Sequence, residues 1–135
     1  MRVVLDTNIF ISALISKKGY AAQAFDLWTQ KKYDLVTSQA QIDELRQVSR
    51  YEHLKDRFRR PEMGRLINAL RYKALVVENL PELHLSPDPD DNLILATGIA
   101  GQVHYIVSGD KGDMLSLEAV QGIPILTARE FVRLF

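Results

Sequence analysis

A chain of 135 residues, 47% hydrophobic and 25% charged, has the size and composition of one soluble globular domain. Net charge is zero and cysteine is absent, which excludes disulfides and thiolate metal sites and suits a reducing compartment. No apolar run approaches the roughly 20 residues of a membrane helix, and the N-terminal apolar stretch breaks at Asp6, unlike a signal peptide. One domain over 1–135, cytoplasmic and without a membrane partner, is expected.

In chain order, residues 2–5 predict a buried strand and 7–15 a helix. A Lys-Lys-Gly turn at 17–19 separates it from a second helix over 21–31. Phe10, Leu14, Phe25, Leu27 and Trp28 give these helices stripes that suit a core or a partner equally. Residues 34–37 predict a strand. Ser38 followed by Gln41 reads as a capping box opening the next helix, with Ile42, Leu45 and Val48 as its apolar stripe. A basic helical region continues to about Leu70, with a break near Pro61. From Arg46 to Lys73 nine Lys/Arg face three acids, whereas Glu78 to Asp91 holds five acids and no base. Either this is a solvated helical face, or an anionic polymer is held against a metal site.

A third strand is expected over 73–78. The turn at 86–92 precedes a helix over 93–100 that Gly101 closes. Residues 105–108 predict a strand ending in Gly109-Asp110. A last strand over 123–126 carries Pro124 and so is expected at an edge. Thr127 and Glu130 form a capping box for the final helix. Strands alternating with helices argue for an α/β fold with a mostly parallel sheet.

In such sheets ligands bind beyond the carboxyl ends of the strands. Asp6 directly follows the first strand, and Asp110 lies two residues past the strand at 105–108. Glu44 and Asp91 lie near the starts of helices, and Asp113 is three residues past Asp110. Singly, each acid is an ordinary helix cap or turn former. Together they place carboxylates on one sheet edge, a cluster that stays ionised only around a cation. Hard oxygen donors without His or Cys select Mg²⁺ or Mn²⁺. Those ions activate water and neutralise charge on a phosphodiester in the transition state. Thr7 and Asn8 are placed to orient Asp6.

These motifs resemble the PIN-domain family, α/β nucleases that include the VapC-type toxins of toxin–antitoxin pairs. The opening motif is Val4-Leu-Asp-Thr-Asn-Ile9, and the second runs from Ser38 to Glu44-Leu45. The third is Asp91-Asn-Leu-Ile-Leu-Ala96 and the fourth Ser108-Gly-Asp110. The resemblance is closest to the toxin branch, through Asp-Pro-Asp-Asp-Asn at 88–92 and Ser-Gly-Asp-Lys at 108–111. It implies a three-layer α/β/α sandwich, Mg²⁺- or Mn²⁺-dependent cleavage of single-stranded RNA, a homodimer, and inhibition by a cognate antitoxin. Carried over, Asp6, Glu44, Asp91 and Asp110 are catalytic metal ligands, and Asp113 is a further acid. Asp90 is the alternative to Asp91. Asn8 and Ser108 are polar helpers, and Arg46, Arg50 and Lys111 are candidates for RNA phosphates. Two other readings stand beside this one. The first is an RNA- or protein-binding module of the same fold without cleavage. The second is a phosphohydrolase with an aspartate nucleophile, although Asn8 stands where its Asp-x-Asp motif needs an acid.

Overall fold

The computed structural model describes residues 1–109 and 112–135. In Arg2–Leu5 (β1), Val3 and Leu5 pack against one set of core residues and Val4 against another, and all three are fully buried. A strand that buries both faces needs helices on both sides, and the rest of the chain supplies them.

Thr7–Ile15 (α1), Tyr20–Thr29 (α2), Gln39–Val48 (α3) and Arg60–Lys73 (α4) contribute to the core on the Val3/Leu5 face, as does Ala128–Val132 (α7). Phe10 and Trp28 are buried there, and Leu14, Phe25 and Leu27 pack against it from the margin. Pro89–Ala100 (α5) and Asp113–Ser116 (α6) cover the Val4 face with Ile94, Leu95 and Met114. This is the expected three-layer α/β/α sandwich.

Asp34–Ser38 (β2), Leu75–Val77 (β3), Tyr105–Ser108 (β4), Ala119–Val120 (β5) and Ile123–Thr127 (β6) complete one sheet, ordered β3-β2-β1-β4-β6-β5. All pairings are parallel except β5 with β6. The chain runs outward from β1 through β2 to β3, then returns to the opposite side of β1 as β4. The switch point therefore lies between the carboxyl ends of β1 and β4, where such sheets bind ligands.

The structure corrects several boundaries. Helix α2 stops at Thr29 because Lys31 takes a left-handed conformation (φ 61°). The N–H of Lys31 bonds the Trp28 carbonyl and that of Lys32 bonds Leu27, a Schellman ending built on lysine instead of glycine. The basic region breaks over 49–59, not at Pro61, which sits in the first turn of α4 where its missing N–H costs nothing. Strand β3 is shorter than expected because α4 runs through Lys73 and Asn79 turns left-handed (φ 57°). Helix α5 begins at Pro89, four residues early, with Asp88 as its cap.

Strand β6 is not an edge strand, because β5, which the sequence did not predict, pairs with it. Gln121 and Gly122, both at positive φ, link the two strands in a two-residue hairpin. Val120 and Ile123 close that hairpin, and the next pair, Ala119 with Pro124, falls in a non-hydrogen-bonded position. Pro124 therefore needs no N–H toward β5. Helix α6 also escaped the sequence reading.

Candidate active site

Asp6 ends β1 in the middle of the sheet and is only 5% exposed. Its backbone N–H donates to the Val107 carbonyl of β4 (2.9 Å). One carboxylate oxygen, Oδ1, accepts from the Ile9 N–H (3.2 Å) and so caps α1. The other, Oδ2, accepts from the buried Ser108 hydroxyl at the end of β4 (2.9 Å). Burial pushes the carboxyl pKa up. The Ser108 bond and the Ile9 and Asn8 backbone groups oppose that rise, and the Asp91 charge adds to it.

Glu44 lies in the second turn of α3, half-buried. Its pKa is pushed up to about 7, first by burial and then by the nearby charges of Asp90 and Asp6. The Thr7 hydroxyl lies close enough to draw it down but forms no geometrically complete hydrogen bond. Glu44 Oε2 and Thr7 Oγ1 are both buried without a partner among the described residues. A cavity of about 90 Å³ brings these groups together, lined by Asp6, Thr7, Asn8, Glu44, Asp90 and Asp91 among others.

Asp91 sits in the first turn of α5, and its Oδ2 accepts from the buried Ser86 hydroxyl (2.9 Å). Burial raises its pKa, the Ser86 bond lowers it, and Asp88, Asp113 and Asp90 raise it further. Asn92 fastens the same turn: its Oδ1 accepts from the Leu85 and Ser86 N–H groups, and its Nδ2 donates to the Ser86 carbonyl. Asp90 and Asp91 thus both line the cavity, with Asp90 against Glu44 and the Asp91 charge felt at Asp6. Asp88 lines it too, while capping the Asp90 N–H (2.9 Å).

The sequence-predicted residues divide accordingly. Asp6, Glu44, Asp91 and Asn8 share the cavity. Ser108 holds Asp6 from below, and Asn8 acts on Asp6 through its backbone. Asp113 opens α6, exposed, with its charge felt at Asp91. Arg46 and Arg50 are not among the residues that line the cavity, and Arg50 lies past the cap at Ser49, outside α3. Asp110 and Lys111 lie outside the described residues. Ser86 was missed. A serine in a Ser-Pro turn carries no signal beyond turn formation, and only its burial beside Asp91 marks it.

The donor set suits a hard divalent cation: carboxylate oxygens, with one buried Glu oxygen and one buried hydroxyl that have no partner among the described residues. Among the described residues no three acids or histidines stand close enough to form a finished coordination set.

A family model described as PIN domain matches residues 2–112, from β1 past the end of β4. The chain belongs to the PIN domain family. The match leaves out α6, β5, β6 and α7. This PIN domain is also 26% identical over 122 residues to an uncharacterized protein of Methanocaldococcus jannaschii, covering 87% of this chain and 75% of that relative. PIN domains are generally nucleases and typically bind divalent metals. Among the described residues no helix is long and apolar enough to cross a membrane.

Proposed function

We propose that this PIN domain is a Mg²⁺- or Mn²⁺-dependent endoribonuclease that cuts single-stranded RNA. One observation carries the reading: a buried carboxylate at the sheet switch point faces a half-buried glutamate whose inward oxygen has no partner among the described residues. Such a site is costly as it stands and favourable around a cation. Asp6, Glu44 and Asp91 would hold the ion, with Asp110 the fourth acid and Asp90 and Asp113 beside them. When bound, the ion supplies an activated water and neutralises charge on the phosphodiester.

The chain's own groups prepare that site. Ser108 and the Ile9 N–H fix both oxygens of Asp6, so the carboxylate cannot rotate. Ser86 does the same for one oxygen of Asp91. Glu44 carries a proton on its carboxyl at mildly acidic pH and gives it up near neutrality, when a cation competes for the same oxygen. The surplus of bases between Arg46 and Lys73 supports an RNA substrate, with Arg46, Arg50 and Lys111 meeting phosphates that flank the cut.

The further role of a cytoplasmic toxin, homodimeric and held by a cognate antitoxin, rests on the Asp-Pro-Asp-Asp-Asn run at 88–92 and the Ser-Gly-Asp-Lys run at 108–111. Incubation of purified protein with labelled single-stranded RNA tests the nuclease. Cleavage is expected with Mn²⁺, absent with chelator, and at least 100-fold slower in Asp6→Asn, since a metal ion supplies several kcal/mol. Identical behaviour of wild type and variant with and without Mn²⁺ ends the reading. Growth arrest on inducing the wild type, but not Asp6→Asn, tests the toxin role.

A further inference from the structure

The three elements that carry the acids are β1 (Asp6), α3 (Glu44) and α5 (Asp91). They meet beneath the cavity in a layer of polar side chains that no water reaches. Gln41 and Thr97 are fully buried, as is Thr37, and Ser38 is 1% exposed. Buried polar groups are kept only when satisfied, and here each one is.

The reason for the layer lies in the sheet. Strands β1 and β2 pair at Arg2 with Asp34 and at Val3 with Leu35. Beyond that, β1 stays with β4 through Leu5 and Val107 while β2 stays with β3 through Ser38 and Val77. The Asp6 N–H faces β4. The Leu5 carbonyl therefore faces β2, at the point where the β1–β2 ladder has ended. Gln41 fills the gap: its Nε2 donates to that carbonyl (2.7 Å) while the Thr37 hydroxyl of β2 donates to its Oε1 (2.6 Å). A carbonyl only accepts, so the amide nitrogen must be the atom facing Leu5.

The layer then continues to α5. The Gln41 N–H donates to Ser38 Oγ (3.2 Å), which lies 3.0 Å from Thr97 Oγ1. Thr97 gives its single proton to the Leu93 carbonyl (2.8 Å), so Ser38 is the donor to Thr97. This differs from the capping box expected of Ser38 and Gln41. The Ser38 cap forms, but the Gln41 side chain leaves its own helix and clasps β1, one residue before Asp6. Glu44 follows Gln41 by one turn on α3.

We infer that Gln41 is a positioning residue: through its clasp on the Leu5 carbonyl, and through Ser38 to Thr97, it sets the spacing of the Asp6, Glu44 and Asp91 carboxylates. Its consequence for metal binding rests on the nuclease reading, whereas the spacing itself does not. Catalytic and metal sites tolerate errors of only about 0.5 Å in such spacings.

Gln41→Leu removes the clasp and orphans both the Leu5 carbonyl and the Thr37 hydroxyl. Gln41→Leu with Thr37→Val removes the clasp without orphaning the hydroxyl, leaving only the Leu5 carbonyl unpaired. Calorimetry with Mn²⁺ and thermal unfolding are run on wild type and both variants. Folding stability is expected to fall in the single variant and to recover in part in the double, because the orphaned hydroxyl costs stability. Mn²⁺ affinity is expected to fall at least tenfold in both and not to recover, whereas a purely structural role would return affinity together with stability. Crystal structures of the metal-free wild type and double variant give a readout without metal. The Asp6 and Glu44 carboxyls are expected to change separation by at least about 0.5 Å. Affinity that recovers with stability, or an unchanged separation, overturns the inference. If the wild type binds no Mn²⁺, the nuclease reading fails and the separation alone decides whether Gln41 positions the acids.

Discussion

Replacing Glu44 by Gln separates a site built for a cation from one that merely tolerates an acid. In the unfolded chain the carboxyl titrates near its ordinary 4.5, and in the folded one near 7. A carboxyl raised on folding contributes stability that is fully present below pH 4.5 and is lost as pH rises through 7. A rise of that size is worth roughly 3 kcal/mol for a group shut away from water. Glu44 is only half-buried, so screening lowers the cost at pH 8 to roughly 1–2 kcal/mol. Glutamine keeps the shape and carries no charge.

Metal-free Glu44→Gln is therefore expected to match the wild type near pH 4.5 and to exceed it by roughly 1–2 kcal/mol at pH 8. For a domain of this length that is a gain of roughly 3–8 °C in Tm. Saturating Mn²⁺ should reverse the order: a ligand at 100 times its Kd stabilises the wild type by about 2.7 kcal/mol, and the variant gains less. Urea unfolding at pH 4.5, 6, 7 and 8, with chelator and then with Mn²⁺, reads all of this. A stability difference that does not change with pH, or a variant weaker than the wild type at pH 8 without metal, refutes the reasoning.

Three further substitutions probe the supports. Ser108→Ala deletes the hydroxyl that holds Asp6 Oδ2. Loss of such a partner typically costs 10–100-fold in metal affinity, and calorimetry showing no loss would remove Ser108 from the site. Gly98→Ala in α5 puts a methyl 2.7 Å from Ile106 Cδ1 and 3.0 Å from its Cγ1. A net loss of about 1–2 kcal/mol is expected in urea unfolding after the gain in helix propensity, and adding Ile106→Val should recover most of it by deleting Cδ1. Thr127→Ala removes a complete capping box from α7, with an expected loss of about 1 kcal/mol and faster hydrogen exchange at Phe131.

The fold was legible because apolar runs end abruptly at polar residues: Val3 to Leu5 at Asp6, and Ile106-Val107 at Ser108-Gly109. Such endings fix where strands stop and which sheet edge collects the acids. What stayed hidden has local causes. A lysine at the left-handed position that ends α2 gives no glycine signal. A two-residue strand such as β5 has too few residues for alternation to register, and the four residues of α6 hold barely one turn. Gln41 was read as half of a capping box because spacing reports only local partners, and its actual partner, the Leu5 carbonyl, is 36 residues away. Ser86 was invisible for the same reason, since its role depends on burial created by the fold.

In the sequence, Asp6 reads as a helix cap that can also serve as a metal ligand, and the structure shows the cap and what the cap leaves unexplained. Capping α1 occupies Oδ1 alone, through the Ile9 N–H. That need is met as well by an exposed acid, as Asp88 shows at the start of α5. It explains neither the burial of Asp6 nor the Ser108 hydroxyl beneath Oδ2. Those features hold a charge in place at a cost in desolvation, which a cap does not require. Asparagine caps a helix about as well as aspartate and has nearly the same shape. In Asp6→Asn the amide oxygen keeps the cap and the packing survives, while the charge goes and the amide nitrogen in place of Oδ2 can only donate to the Ser108 hydroxyl. A loss of Mn²⁺ binding and cleavage in that variant, with α1 intact by circular dichroism, therefore reports on the charge of Asp6 and not on the helix it starts.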